Sequence, residues 1–425
     1  MTIRQTAIVG AGPAGLIAYL ILRYHGVPAH QIVVLDDRRD VLDAWAACSA
    51  AIAQRAMRSE SEGHFFATDF PGFALLDSIR ERSPLPLLRS VFNRYHPTLR
   101  DVVSHGRGLA SYYDLDASRR YCRVTAVRRE MHPSPHLTLE TTDGTVSARH
   151  VLLALGHGPL RWPAVDPEAL PELAGRLTHA YQPKDYRPGK TVVIGSGMAA
   201  TGEWVNALRA GAEVVAVRRR PVLTRQALSA PRCAFGGGWL DRYHRLPATE
   251  RARVLANLGR GSSPRPREWS RVLSRAEREG RLSHRVGDVL AIAAHGPHID
   301  VHIQGEAGEE TLAAESVIAA TGFRYGWREH GITRDLVDTY GLATYGDHLI
   351  LADDCVVPRL SRPDSVVAVT GPLSRWAFPA ADSFAAVKYA GRRFTEHATG
   401  QRAFGPQLRG WIGMVRAGLP SPEST

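Results

Sequence analysis

Apolar and polar positions repeat one order twice along the chain. QTAIV (residues 5–9) is a short apolar run. The glycine-rich GAGPAG follows, and LIAYLILRYHG then reads as an apolar helix ending at Gly26. IVVLDD (32–37) has the length and β-branched content of a buried strand. The same plan returns in TVVIGSGMAATGEWVNALRAGAEVVAVRRR (191–220): strand, glycine turn, helix, strand. Between the two units, CRVTAVRRE and HLTLETTDGTVSARHVLLALG (136–156) predict three strands with a hairpin turn at Asp143-Gly144. Residues 38–110 read as a mixed, loop-rich region, and 224–284 as a long polar helical excursion broken by the loop GSSPRPR (261–267). Strands return over 285–304, and SVIAATGFRYG reads as another buried strand with a turn. The tail from Ser365 to His397 reads as strand, Thr-Gly-Pro turn and helix. The pattern therefore predicts an α/β fold with two doubly wound, Rossmann-like units.

Each glycine turn carries its own chemistry. In the first, Gly10 and Gly12 allow a tight turn and close approach of backbone N–H groups to a pyrophosphate. Gly15 lets helix pack on strand, with Pro13 and Ala14 between them at the positive helix end. Asp36 ends the second strand 21 residues after Gly15, where a carboxylate accepts hydrogen bonds from ribose hydroxyls. In the second turn, Gly195, Ser196, Gly197, Met198 and Ala199 lead to Ala200 as the third small residue. Its second strand ends in Arg218, Arg219 and Arg220 instead of an acid. Arginine there suits the 2′-phosphate of NADP, where a carboxylate would suit NAD.

Composition narrows the picture. Hydrophobic residues make up 44% of the chain, enough for a sizeable core, and no run has the form of a secretory or membrane segment. A cytoplasmic protein without membrane contact is the expectation. The net charge of +11 is carried by arginine, since lysine occurs only at Lys184, Lys190 and Lys388. The arginines are scattered rather than interleaved with aromatics, which argues against nucleic acid as a partner. Cys48, Cys122, Cys233 and Cys355 stand far apart, so neither a CxxC redox pair nor a zinc ribbon is present, and no metal site is expected.

Two nucleotide folds, one inserted in the other, resemble the two-dinucleotide-binding-domain flavoproteins. That resemblance implies FAD on the first fold and NADPH on the second. It implies a first FAD part over 1–180, an inserted NADP(H) part over 181–318 containing the excursion 224–284, and a closing FAD part over 319–425. The disulfide reductase branch needs a cysteine pair, but the position five residues after Cys48 is Ala53. The linker Leu173-x-Gly175-xxx-His179-xxx-Pro183 is similar to the FxGxxxHxxx(W or P) fingerprint of flavin-containing and Baeyer–Villiger monooxygenases, with Leu in place of Phe. Ala320-Thr321-Gly322-Phe323 resembles the ATG linker of the flavin-containing and N-hydroxylating (class B) flavin monooxygenases.

That resemblance implies oxygen insertion from O2 into a small organic substrate, free or carrier-bound, through a C4a-(hydro)peroxyflavin. N-hydroxylation of an amine in a biosynthetic pathway is the favoured chemistry. Baeyer–Villiger or sulfur oxygenation, a plain NADPH-dependent flavin oxidoreductase and a non-catalytic NADP-sensing scaffold stand as alternatives. Thr321 and Gly322 belong to the implied cofactor site, Trp45 and Met57 lie where relatives approach the flavin ring, and His179 is the linker candidate. Gly371 is followed by Pro372 rather than by the Asp that many relatives use at the ribityl chain. The oligomeric state, including a homo-oligomer, is open at this level.

Overall fold

The computed structural model describes residues 2–57, 64–65, 72–92, 95–132, 134–165, 170–221, 234, 236–258, 267–403 and 412. β1 (Ile3–Val9), α1 (Pro13–Tyr24) and β2 (Ile32–Asp36) open the chain. The helices α2 (Asp43–Ala51), α3 (Gly72–Arg80), α4 (Leu85–Val91), α5 (Leu99–Tyr112) and the single turn α6 (Leu115–Ser118) come next. They lie where the sequence reads as mixed loops. α5 is amphipathic, burying Leu99, Val102, His105, Gly106, Leu109 and Ala110 at helical spacing. Thr98 caps it by accepting from the Asp101 N–H at 3.1 Å.

β3 (Arg119–Tyr121), β4 (Val124–Glu130), β5 (His136–Thr141) and β6 (Gly144–Leu153) complete the first sheet in the order β3-β2-β1-β6-β5-β4. One edge of β6 pairs with β1. Its other edge pairs antiparallel with β5 over Gly144–Ala148, then parallel with β17 (Val367–Val369). The sheet is buried on both faces. Ile8, Ile32, Val34, Leu152 and Ala368 point to one core, while Ala7, Val9, Val33, Leu35, Val151 and Leu153 point to the other. That arrangement explains why these strands read as unbroken apolar runs rather than alternating ones. α12 (Phe384–Thr399) lies against α1, close enough that a Cβ on Gly391 would stand 3.4 Å from the Ala18 Cα.

The second sheet has the order β10-β9-β8-β14-β7. Its strands are β7 (Leu177–His179), β8 (Gly189–Ile194), β9 (Ala212–Arg218), β10 (Leu282–Val286) and β14 (Ser316–Ala319), with α7 (Met198–Arg209) between β8 and β9. β7 enters this sheet ahead of residue 181, the expected start of the inserted part.

Of the expected helical excursion over 224–284, the structure describes residue 234 and residues 236–258 and 267–284, which form three helices and the start of a strand. α8 (Gly237–His244) and α9 (Ala248–Asn257) send Leu240, Tyr243 and Leu255 into a core of the first sheet, and the Tyr243 hydroxyl donates to the Trp376 carbonyl at 3.0 Å. α10 (Arg267–Arg278) packs on α7, and Leu282 already opens β10. The segment divides because its apolar residues are shared between two cores. A meander of β11 (Asp288–His295), β12 (His298–Gly305) and β13 (Gly308–Ala314) covers the other face of the second sheet through Ile292, Ile299, Val301 and Ile303. α11 (Gly331–Tyr340), β15 (Thr344–Tyr345) and β16 (His348–Leu349) return the chain to the first unit. No helix among the described residues is long and apolar enough to cross a membrane.

The two units repeat each other bond for bond. The Gly10 N–H donates to Leu35 and the Gly195 N–H to Val217, both at 2.8 Å. The Ala154 N–H donates to Val9 at 2.8 Å and the Ala320 N–H to Ile194 at 2.9 Å. Gly10 and Gly195 have positive φ, and a Cβ on them would stand 2.3 Å from the Ala154 oxygen and 2.4 Å from the Ala320 oxygen. The third small position differs. A Cβ on Gly15 would lie 1.8 Å from the Gly10 oxygen, whereas the second unit already accommodates Ala200 there. Gly15→Ala should therefore destabilise the protein by roughly 1–3 kcal/mol, as overpacking does. Ala200→Gly should stay within about 1 kcal/mol of the parent. Denaturant midpoints at unchanged slope measure both, and a Gly15→Ala protein as stable as its parent would refute the close approach.

Candidate active site

Open parallel sheets bind ligands beyond the C-terminal ends of their strands. In the first unit that edge gathers the Gly10–Gly15 turn after β1, Asp36 after β2, Gly156-His157 after β6 and Thr370-Gly371 after β17. The first helical bond of α1 runs from the Leu16 N–H to the Gly12 carbonyl at 2.9 Å, so the N–H groups of Ala14 and Gly15 precede it. No acidic residue sits in that first turn. Gly12 has an ordinary φ of −71° and open space where its Cβ would be, so neither backbone nor packing accounts for glycine there. Gly197 repeats the case, with φ −74° and the same open space at the head of α7.

The Asp36 carboxylate accepts from the Ala11 N–H at 2.5 Å and the Arg38 N–H at 2.7 Å, which brings it against the first turn. Gly371 (φ 70°) starts a short 3-10 turn. The residue before it was not picked out by the sequence. Thr370 is buried, and its Oγ1 has no hydrogen-bond partner among the described residues. Thr321 at the corresponding end of β14 is committed, donating to the Arg161 carbonyl. The matching Thr-Gly pairs at the ends of two parallel strands were the available signal.

The arginine run divides. Arg218 turns inward, its Nη1 donating to the carbonyls of Arg220 at 2.8 Å and Pro221 at 2.7 Å. Arg219 is exposed and Arg220 half-buried, so these two are the cations presented outward. Trp45 and Met57 belong to the packing of the first unit. Met57 is buried, and half-buried Trp45 meets Phe65 and Phe384 edge-on at 6.3 and 5.9 Å.

The linkers between the units lie side by side. Leu160 and Phe323 form an antiparallel bridge, the Arg161 N–H donates to Gly322 at 2.9 Å, and the Arg324 N–H to Pro159 at 2.8 Å. Rings stack along this joint: His157 on Phe323 at 4.4 Å, Phe323 on Tyr181 at 4.6 Å, and Tyr181 on His179 at 5.9 Å. Burial among protein atoms pushes the pKa values of His157 down and Tyr325 up, with Asp382 close to both, yet both side chains are open to solvent.

His179 is fully buried at the end of β7. Its Nδ1 accepts from the Tyr181 N–H at 3.2 Å, which places the ring proton on Nε2. Nε2 has no partner within hydrogen-bond geometry among the described residues. Burial holds the ring down to about 4, and the carbonyls of Arg161 and Gly322 on the two linkers oppose that shift. Cys48, Cys122 and Cys355 are unpaired, while Cys233 lies outside the described residues. Burial pushes the Cys48 and Cys355 thiols up, away from thiolate character.

A family model described as pyridine nucleotide-disulphide oxidoreductase matches residues 7–233. No curated protein matches the chain by sequence. Among solved structures, it is similar to the FAD-bound cadaverine monooxygenase of the desferrioxamine pathway from Erwinia amylovora. The TM-score is 0.73 at 15% identity, over 96% of this chain and 97% of that one. The ornithine N-hydroxylase of Kutzneria sp. 744, with reduced FAD, NADP⁺ and L-ornithine, gives 0.70 at 17% identity, over 94% and 99%. The reduced ornithine hydroxylase of Pseudomonas aeruginosa gives 0.69 at 16% identity, over 93% and 100%. At such identities the likeness is one of fold.

The buried histidine sets a pH dependence. His179 stays neutral in the folded protein to about 4 and titrates near 6.5 when unfolded. Between those values the unfolded chain binds more protons, so this part of the stability is complete above pH 6.5 and falls as pH drops toward 4. His150, also held to about 4 by burial and then by His397 and Arg149, has the same sign. Taking one pKa unit as about 1.4 kcal/mol, His179→Gln should lose roughly 1–2 kcal/mol less than its parent between about pH 6.5 and pH 5. Denaturant midpoints at the two pH values measure this. Equal acid losses in both proteins would mean that His179 is not held neutral.

Proposed function

The chain belongs to the pyridine nucleotide-disulphide oxidoreductase family, matched over residues 7–233, and on that premise we propose that it is an FAD- and NADPH-dependent monooxygenase that N-hydroxylates a small amine. The observation that carries this reading is a complete pair of dinucleotide turns without the dithiol that disulfide chemistry requires. Cys48 faces no second cysteine at the expected spacing, and its thiol is pushed up rather than activated. The amine hydroxylases of like fold support the same choice of chemistry.

The residues fit both cofactors. In the first crevice, the open space at Gly12, the N–H groups of Ala14 and Gly15 and the positive end of α1 suit a pyrophosphate. Asp36 suits ribose hydroxyls, and the orphaned Thr370 hydroxyl at Gly371 suits the ribityl chain in place of the missing acid. In the second crevice, Gly197 and the head of α7 repeat the phosphate cradle, and Arg219 and Arg220 suit a 2′-phosphate. Bound flavin would supply hydride acceptance from the nicotinamide and activation of O2.

The chain's own part is binding, orientation and exclusion of water. The paired linkers with His157, Phe323, Tyr181 and His179 hold the two crevices in register. His157, solvent-exposed beside the linkers and with its pKa lowered by desolvation, can accept a hydrogen bond from a substrate amine.

Two measurements test this. Arg219→Ala/Arg220→Ala should weaken NADPH binding by about 10–150-fold, the value of roughly 1.5–3 kcal/mol for hydrogen bonds to a charged group, with NADH unaffected. Arg218→Ala should act on the 220–221 turn instead. A parent enzyme that uses NADH as well as NADPH would sink the phosphate assignment. For the reaction, enzyme reduced anaerobically by NADPH is mixed with O2 and a panel of amines, sulfides and ketones. The expected outcome is one added oxygen atom on an amine nitrogen, identified by mass spectrometry, in step with NADPH consumed. Hydrogen peroxide as the sole product with every compound would establish the plain oxidoreductase, and oxygenation of only sulfides or ketones would overturn N-hydroxylation.

A further inference from the structure

Lysine is rare here, three of 53 basic residues, and one of the three is shut into the seam between the units. The side chain of Lys184 is 2% exposed. Its ammonium donates to the carbonyls of Ala180 at 2.6 Å, Ala51 at 2.8 Å and Gln182 at 3.1 Å. Glu203 of α7, fully buried, stands 3.5 Å away. The Tyr186 hydroxyl donates to Glu203 at 2.9 Å. The Asn206 amide, also on α7, donates to the Ile52 carbonyl at 2.9 Å and to the Tyr186 hydroxyl at 3.1 Å.

Ala51 and Ile52 close α2, an element of the first unit. The last carbonyls of a helix have no partner within it, and they carry the negative end of its dipole. Here both partners come from the inserted unit. The chain then turns sharply through Ala53, a non-glycine residue with φ 48°, and the Ile52 side chain is buried in the second unit's core beside Ala180, Ala200 and Trp204.

We propose that Lys184 and Asn206 are positioning residues that cap α2 across the seam and thereby seat the nucleotide unit over the first crevice. The choice of lysine in an arginine-rich chain follows. A tetrahedral ammonium offers three N–H donors to three carbonyls converging on one point, a geometry the planar guanidinium fork cannot match. Docking of the inserted unit and order at the end of α2 are then one event. α2 also carries Trp45, so the cap reaches the aromatic wall at Phe65 and Phe384. The consequence for hydride delivery rests on the functional reading above, but the cap itself does not.

The test uses the full chain with FAD. Lys184→Met/Glu203→Gln removes both charges together, so that neither is left buried alone. Asn206→Leu removes the second bond, and Lys184→Arg keeps the charge with the wrong shape. The expected result is a cooperatively unfolding protein whose α2 amides over 48–52 exchange with solvent about tenfold faster or more. Its scattering radius should be larger than that of the parent. Flavin reduction by NADPH should slow by about tenfold at saturating NADPH, with reduction by dithionite unchanged, and Lys184→Arg should not restore the parent rate. Parental exchange and parental scattering in both Lys184→Met/Glu203→Gln and Asn206→Leu would overturn the proposal. If the double variant does not fold, Asn206→Leu, which leaves the ion pair in place, decides by the same exchange measurement. If NADPH fails to reduce the parent protein, the functional reading falls while exchange and scattering still judge the cap.

Discussion

The Ala154 carbonyl leaves no room for a side chain at Gly10, and the Ala320 carbonyl leaves none at Gly195. Much of the molecule depends on this pair of close approaches. Each fixes a glycine turn against the end of a neighbouring parallel strand, and so aims a helix N-terminus at the sheet's C-terminal edge. Ala154 and Ala320 are also the residues at which the chain leaves β6 and β14 for the two linkers. The same contact that shapes each cradle therefore anchors one strand of the joint between them.

The joint is built of stacked rings, and its buried His179 is held neutral by burial, with one nitrogen accepting a backbone N–H and the other facing linker carbonyls. The seam behind it is the opposite: a buried lysine held by three carbonyls, 3.5 Å from a buried glutamate that accepts from a tyrosine hydroxyl. A buried ion pair is weak evidence for stability as such. Its worth here is directional, because one of its bonds, from Lys184 to Ala51, runs to a helix end in the neighbouring unit.

Much of this was legible in the sequence, for identifiable reasons. Strands buried on both faces leave unbroken apolar runs, so β1, β2, β6, β8, β9 and β14 stood out, as did the glycine turns between strand and helix. α5 was also legible, since Leu99, Val102, Leu109 and Ala110 keep helical spacing, but arginines and loops around it hid the pattern. What the sequence could not carry was the division of one segment between two cores. α8 and α9 turn to the first unit, and α10 to the second, a choice made by tertiary packing rather than local preference. Arg218 shows the limit at the site. Its residue type suits a phosphate, but its Nη1 is engaged by two carbonyls of its own turn. Thr370 and Lys184 went unmarked because their significance lies in what surrounds them: for one an absent partner, for the other two carbonyls of its own stretch joined by that of Ala51, 133 residues away in the chain.

β7 and β14 are neighbours in the second sheet, with Leu177 opposite Val317 and His179 opposite Ala319. The inserted unit thus begins and ends about one strand spacing apart, roughly 4.8 Å. The insert is nonetheless no detachable loop, since α8 and α9 leave Leu240, Tyr243 and Leu255 in the core of the first sheet. Host and guest share a core as well as a seam, so a change of volume in that core is felt by both.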